Sequence, residues 1–492
     1  MKKTLSMLLA FSMLLGLLTT MAFAADTYTI TAPANDHTYE VYQIFVGDLS
    51  DTTLSNVKWG QNGTGTAGEA VAKDVLTEIA GTTGTDTQKL AVITKYVNLT
   101  TEAFKLVGEE AGENNTRVAS VDVPAGYYLI KDVDNSLSGE NDAYTLFLVE
   151  VVGDVTITPK ANVPTFEKKV KDTNDSTGET TGWQDSADYD IGDDVPFQLT
   201  GKVADNYDAY TKYQFVFHDK ESAGLTFNND VKVYVDGVEI TEGYEVVTED
   251  LTDGCTFEVV FENLKTINAV KANSIITVEY TSKLNESAVI GAAGNPNEVY
   301  LEFSNNPNWK PSGTDGEKTP TGETPEDKVI VFTYKTVINK VDGEKNPLAG
   351  AEFKLYKKVG EEWVEVKDKL TLNAEKTTFT WTGLDDGDYK LSETMTPAGY
   401  NTIEDIEFTI TAEHQIESDN PTLTSLSGKA TTGEVTFADD NTAGSLTSSV
   451  VNNMGSVLPE TGGIGTTIFY VLGGLMAVGA GVLLVAKKRM DA

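Results

Sequence analysis

The sequence is poor in sulfur, imidazole, proline and positive charge. A single cysteine, Cys255, among 492 residues excludes any disulfide within the chain. The three histidines (His37, His218 and His414) lie far apart, so no His-built metal site is expected, and no cofactor. Lys and Arg number 37 against 75 Asp and Glu, a formal net charge of −38. That excess repels nucleic acid and anionic membrane surfaces and excludes both as partners. Prolines are few, 14 in all, and four of them (Pro307, Pro311, Pro320 and Pro325) crowd into residues 305–327, which read as a loop or linker. An enzyme would need a nucleophile set beside a base, and none is found. Cys255 lies in a strand-like segment and reads as core packing, and Asp385-Asp386-Gly387-Asp388 reads as a turn rather than a cation loop.

What is present is β-rich. Forty-three Gly, 20 Tyr and 40% hydrophobic residues suit folded sheet domains, and the length allows about three of them at ~150 residues each. The two ends carry addresses. Lys2 and Lys3 precede an apolar run over residues 5–18 and then Ala22-Phe23-Ala24, the pattern of a secretory signal peptide over residues 1–24. Residues 464–486 contain no charge and are followed by Lys487-Lys488-Arg489, the pattern of a membrane-spanning helix with its tail held in the cytoplasm.

Between the ends the periodicity is mostly that of strands. Residues 25–160 form a first domain in which Val71, Val75, Leu76 and Ile79 share a helical face, so helices are added to its strands. Residues 161–327 form a middle domain. There Val231, Val233 and Val235 alternate up to an Asp236-Gly237 turn, with Val238-Glu239-Ile240 returning as a hairpin. Residues 328–456 form a last domain of short strands and tight turns, and residues 457–492 hold the C-terminal signal. The expected fold is all-β: three immunoglobulin-like sandwiches in series, the first with added helices, without a disulfide.

Directly before the apolar segment stands Leu458-Pro459-Glu460-Thr461-Gly462. Pentapeptide, apolar stretch and basic tail together resemble the cell-wall sorting signal of Gram-positive surface proteins. The resemblance implies that a sortase attacks the Thr461 carbonyl and passes the acyl group to an amine. Further upstream, Tyr389-Lys390-Leu391-Ser392-Glu393-Thr394-Met395-Thr396-Pro397-Ala398-Gly399-Tyr400 resembles the YxLxETxxPxGY "E-box" of the B-type (CnaB-like) domains of collagen adhesins and pilins. Asn339-Lys340-Val341-Asp342, Leu348-Ala349-Gly350-Ala351-Glu352-Phe353 and Val450-Val451-Asn452 resemble other strands of that domain. The chain as a whole resembles the backbone (major) pilins of sortase-assembled Gram-positive pili.

That resemblance implies spontaneous Lys–Asn amides inside domains, each assisted by an acid. In the last domain it points to Lys340, Asn452 and Glu393, with Asn453 as a rival acceptor on the opposite strand face. In the middle domain it points to Lys168, Asn297 and Asp219, with Asn305 and Asn306 as fallback acceptors. The residues agree with this chemistry, because period-2 alternation puts Lys168 with Phe166 and Val170, and Lys340 with Ile338 and Phe332, facing apolar cores. His218 falls on the opposite face from Asp219 and is not its catalytic partner. In the first domain Gly126-Tyr127-Tyr128-Leu129-Ile130-Lys131-Asp132 parallels residues 387–393, with Asp132 at the place of Glu393. Its opening strand offers no lysine, so no cross-link is expected there. Thr158-Pro159-Lys160 partly matches the family's "YPK" pilin motif, which implies that Lys160 accepts Thr461 of another subunit; Lys168, Lys169 and Lys171 are alternatives.

The implied partners are a pilus-specific and a housekeeping sortase, other copies of the chain, peptidoglycan, minor pilins and host receptors, and the implied location is the Gram-positive cell wall. A wall-anchored adhesin or minor pilin that is not polymerised is the alternative.

Overall fold

The computed structural model describes residues 27–34, 37–83, 86–102, 104–106, 108–109, 117–157, 162–311, 317–455 and 464–490. The signal segment, Lys160 and the Leu458–Gly462 pentapeptide lie outside the described residues. Within them the fold is mostly β-sheet, as the alternation required. Each of the three sheet bodies stacks two sheets about an apolar core.

In the first body the opening strand Thr27–Ala34 pairs antiparallel with Arg117–Pro124 and parallel with Val155–Thr156. The facing sheet orders Thr53–Trp59, Tyr39–Ser50, Gly126–Asp132 and Leu146–Val151. The expected helix is present as Lys73–Gly81 and buries Ile79 in a cluster with Phe45, Val71 and Leu129. A second helix, Asp86–Ile93, follows.

In the middle body one sheet contains Thr165–Val170, Asp194–Lys202, Ile275–Leu284 and the hairpin Lys232–Val235/Val238–Ile240. Asp236 (φ 50°) and Gly237 (φ 81°) at the hairpin's turn are both left-handed, as a two-residue turn matched to strand twist requires. The opposing sheet centres on Phe215–Glu221 between Asn295–Ser304 and Phe257–Phe261. The last body repeats the plan. Tyr334–Asp342 lies between Thr378–Leu384 and, in parallel, the closing strand Ser445–Asn452, while Gly387–Met395 runs through the facing sheet.

Three sequence readings are corrected. The strand Asp327–Phe332 belongs to the middle body and does not open the last one. It pairs with Ser186–Asp188 and Asn295–Ser304, and its Val329 and Val331 alternate into the middle core. Its Phe332 is buried in the last core and Ile330 packs against it, so the strand lies between the two cores, and the last body's own sheets begin with Tyr334–Asp342. Residues 305–327 are not simply a linker: Thr321–Glu323 pairs onto Asn295–Ser304, and the loop meets the first body. There Asn305 Nδ2 donates to the Leu137 carbonyl at 2.7 Å, and Tyr144 N donates to the Asn305 carbonyl at 2.8 Å. Cys255 precedes the strand Phe257–Phe261 in a turn started by Asp253-Gly254 and is only partly buried, so it is not core packing.

The middle and last bodies touch closely. A Cβ on Gly291 would sit 2.5 Å from the Gly444 nitrogen, so only glycines allow this approach. At the same junction the buried Lys357 Nζ reaches Asp190 (2.7 Å), Asp175 (2.9 Å) and Asp385 (3.1 Å). The helix Ile464–Met490 closes the described chain. Its segment Phe469–Arg489 has a mean hydropathy of 2.2 and none of it is buried in the protein. Its 27 residues rise to ~40 Å, enough to cross a hydrocarbon layer of ~30 Å.

Candidate functional site

Strand alternation carries Lys168, Asp219 and Asn297 into the middle core, where each is 0% exposed. Lys168 comes from one sheet, and Asp219 and Asn297 from the other. Lys168 Nζ donates to Asp219 Oδ2 at 2.5 Å and to Tyr280 Oη at 2.9 Å. The Tyr280 hydroxyl donates to Asp219 Oδ2 at 2.7 Å and accepts from Asn297 Nδ2 at 2.9 Å. One tyrosine oxygen thus touches the amine, the acid and the carboxamide. The Phe197 and Tyr280 ring centroids lie 5.4 and 5.5 Å from the lysine nitrogen.

Electrostatics at this site is governed by burial. Desolvation pushes the Lys168 amine down and the Asp219 carboxyl up, against their mutual attraction. Both shifts favour a neutral amine beside a protonated acid. Asp219 Oδ1 and Asn297 Oδ1 are buried without a donor, and a proton on Asp219 supplies one. Glu221, directly across from Asn297 in the strand register, is raised to about 7 by burial and then by Asp219, and accepts from the Ser282 hydroxyl. Sequence reasoning missed Tyr280 and Glu221. Their signal was polar side chains at inward positions of otherwise apolar strands: Ile276, Val278, Tyr280, Ser282 on one, and Phe215, Phe217, Asp219, Glu221 on the other.

In the last body, Lys340 and Asn452 are 0% exposed on adjacent parallel strands, Lys340 opposite Val450 and Asn452 opposite Asp342. Glu393 reaches them from the facing sheet. Asn452 Nδ2 donates to Glu393 Oε1 at 2.9 Å and Oε2 at 3.0 Å, while Thr396 Oγ1 and Ile403 N, each at 3.1 Å, hold Oε2 in place. Lys340 Nζ donates to the carbonyls of Val341 (3.1 Å) and Val450 (3.0 Å), so its hydrogen bonds go to main chain. Burial lowers its amine to about 8, partly offset by attraction to Glu393. Asn452 Oδ1 is buried with no donor. Asn453, the rival acceptor, is exposed.

The first body has the acid without the lysine, and a histidine serves it. Asp132 Oδ1 lies 2.7 Å from His37 Nδ1, and its Oδ2 accepts from Thr145 N (2.6 Å) and Oγ1 (2.8 Å). His37 Nε2 lies 2.7 Å from Asp142 Oδ2. With a carboxylate at each ring nitrogen both must donate, so the ring is an imidazolium. Burial opposes that charge, but the hydrogen bonds to Asp132 and Asp142 prevail and raise it to about 9.

Residues 335–422 match the SpaA family, a prealbumin-like fold domain, and residues 450–491 match the LPXTG cell wall anchor motif. The chain is 28% identical over 397 residues to the trypsin-resistant surface T6 protein of Streptococcus pyogenes serotype M6, spanning 68% of this chain and 70% of that protein. Its fold is similar to the solved T6 backbone pilin of serotype M6 Streptococcus pyogenes, described as a modular three-domain structure. The TM-score is 0.51 at 19% identity, over 88% of this chain and 99% of that one. The prealbumin-like domain, the wall-anchor motif and the similarity to the T6 surface protein over two thirds of the chain together support a backbone pilin of the sortase-assembled Gram-positive type, a shaft subunit anchored to the cell wall.

Proposed function

We propose that the subunit is joined head to tail, Lys160 of one copy accepting the Thr461 acyl group from a sortase. Amides between Lys168 and Asn297, and between Lys340 and Asn452, brace its middle and last domains. In each, the neutral lysine attacks the asparagine Cγ. In the middle domain the protonated Asp219 polarises the carboxamide oxygen; in each domain the acid, Asp219 or Glu393, passes the amine's proton to Nδ2, which departs as ammonia. Each bond forms once, so this is self-modification without turnover. The first domain has no such bond and relies on the His37 clasp. Peptidoglycan, two sortases, minor pilins and host receptors are the corresponding partners.

The observation that carries the reading is the dry contact of Lys168, Asp219, Tyr280 and Asn297. A buried amine, acid and carboxamide joined through one hydroxyl are costly as separate polar groups, and condensation turns the desolvated amine and carboxamide into a single neutral amide. The test is intact mass. Two amides lower it by ~34 Da, ~17 Da for each ammonia lost. Boiled wall extracts are expected to give a ladder of covalent multimers that collapses to monomer in Lys160→Ala. A full mass together with monomer only in the unmodified strain refutes both halves and favours the unpolymerised adhesin.

A further inference from the structure

The middle domain carries a second polar cluster, on the outer face of the sheet whose inner face holds Asp219. His218 projects there, 7% exposed, with its ring stacked on Tyr300 (centroids 4.5 Å apart, planes 4° apart). Nδ1 lies 2.8 Å from Asp253 Oδ2 and 3.3 Å from Glu258 Oε1. Nε2 is buried without a hydrogen-bond partner, with Glu302 Oε2 at 3.6 Å. Cys255, the chain's one thiol, completes the group. Donor atoms of His218, Asp253 and Cys255 all lie within 4.8 Å of one another. The turn is pinned by Cys255 N donating to Asp253 Oδ1 at 3.0 Å, and Tyr300 Oη donates to Asp253 Oδ2 at 3.0 Å.

Imidazole, thiol and carboxylate at one point form a mixed nitrogen, sulfur and oxygen donor set. With bonds of ~2.0–2.3 Å, the donors of a tetrahedral zinc ion stand roughly 3.3–3.6 Å apart. The distances from Nδ1 to the two carboxylates already approach that spacing. We propose that His218, Asp253, Cys255 and Glu258 form a binding site for a thiophilic divalent cation, zinc foremost, on the flank of the middle domain.

Three further features fit. Asp253, Glu258 and Glu302 have His218 as their only ion-pairing cation among the described residues, so negative charge is in excess. Metal at Nδ1 forces the ring proton onto Nε2, where the Glu302 carboxylate waits, and the Tyr300 hydroxyl orients Asp253 from outside. Cys255 is only partly buried, within reach of an incoming ion, and its thiol gives up its proton on binding. Zinc capture releases the thiol proton, breaks no covalent bond between heavy atoms and needs no oxidant. Its effect is to staple the turn over residues 253–255 to the sheet.

The test uses the full chain in detergent, stripped with a chelator and titrated first with Co²⁺, then with Zn²⁺. Expected are a thiolate-to-cobalt charge-transfer band saturating at one ion per chain and its displacement by zinc. Cys255→Ser abolishes the band. Tyr300→Phe weakens zinc by ~10-fold or more, and His218→Asn by ~100-fold or more. Absence of the band in the unmodified chain overturns the proposal. So does zinc affinity in Cys255→Ser equal to that of the unmodified chain, which assigns the ion to the acidic surface at large.

Discussion

At the scale of single residues, each proposed cross-link depends on one acid and on the groups that hold it. Glu393→Ala is expected to remove only the last-domain bond, so the mass deficit falls from ~34 to ~17 Da while the middle bond persists. Tyr280→Phe tests a residue that no motif named. Without its hydroxyl, Lys168 keeps one polar contact, to Asp219, and the Asn297 carboxamide loses its positioning partner. The middle bond is then expected to form at least several-fold more slowly, read as a longer-lived uncondensed mass after synthesis, whereas Asp219→Ala blocks it. Cross-linking at the full rate in Tyr280→Phe reduces that tyrosine to core filler. The identity of the acids was legible because local motifs carry them. Tyr280 and Glu221 were not, since an inward polar residue on a strand has meaning only once the strand facing it is known.

At the scale of elements, the first domain carries a titratable clasp where the other two carry the proposed amides. The His37 contribution is complete below the unfolded histidine value near 6.5 and is lost as pH rises through about 9. Asp142 has the opposite sense. Its carboxyl is held below the usual value of 3.8: burial raises it, but the His37 and Ala143 hydrogen bonds outweigh that, and its contribution disappears as pH falls through the lowered value. Hydrogen-exchange protection relative to the intrinsic rate in residues 137–145, which also contact the middle domain at Asn305, is therefore expected to fall between pH 7 and 10. His37→Gln is expected to show low protection at every pH and to lose the pH dependence of that protection. The domains with proposed amides are expected to behave differently. Asn452→Ala opens a loop of about 110 residues and is expected to cost ~4–5 kcal/mol, lowering the melting temperature of the last domain by roughly 20 °C. The spine strands and the Asp236-Gly237 hairpin were legible from alternation and turn chemistry. The strand Asp327–Phe332 was assigned to the wrong body because alternation marks which side of a strand is apolar and not which core receives it.

At the scale of the molecule, tension passes along the chain and across two junctions. The junction between the middle and last bodies rests on Lys357, whose charge burial opposes and the carboxylates of Asp385, Asp190 and Asp175 sustain. Lys357→Met leaves those acids without their shared cation and is expected to cost ~3–5 kcal/mol at the interface. Limited proteolysis and the solution scattering profile are the readouts: faster cleavage near the junction and a more extended chain, with both internal amides still present by mass. An unchanged profile would mean that the glycine contact and the strand pairing alone set the angle.

The sequence by itself determined the wall-anchoring signal, the sheet-rich plan and the inward placing of Lys168 and Lys340, because each is written in residues that are neighbours along the chain or two apart on a strand. Tertiary structure alone decided which polar groups meet. The Tyr280 bridge, the His37 clasp in place of a lysine, the Lys357 junction and the His218–Cys255 cluster each join residues from separate strands or loops, and such contacts depend on sheet register and on the packing of one sheet against another.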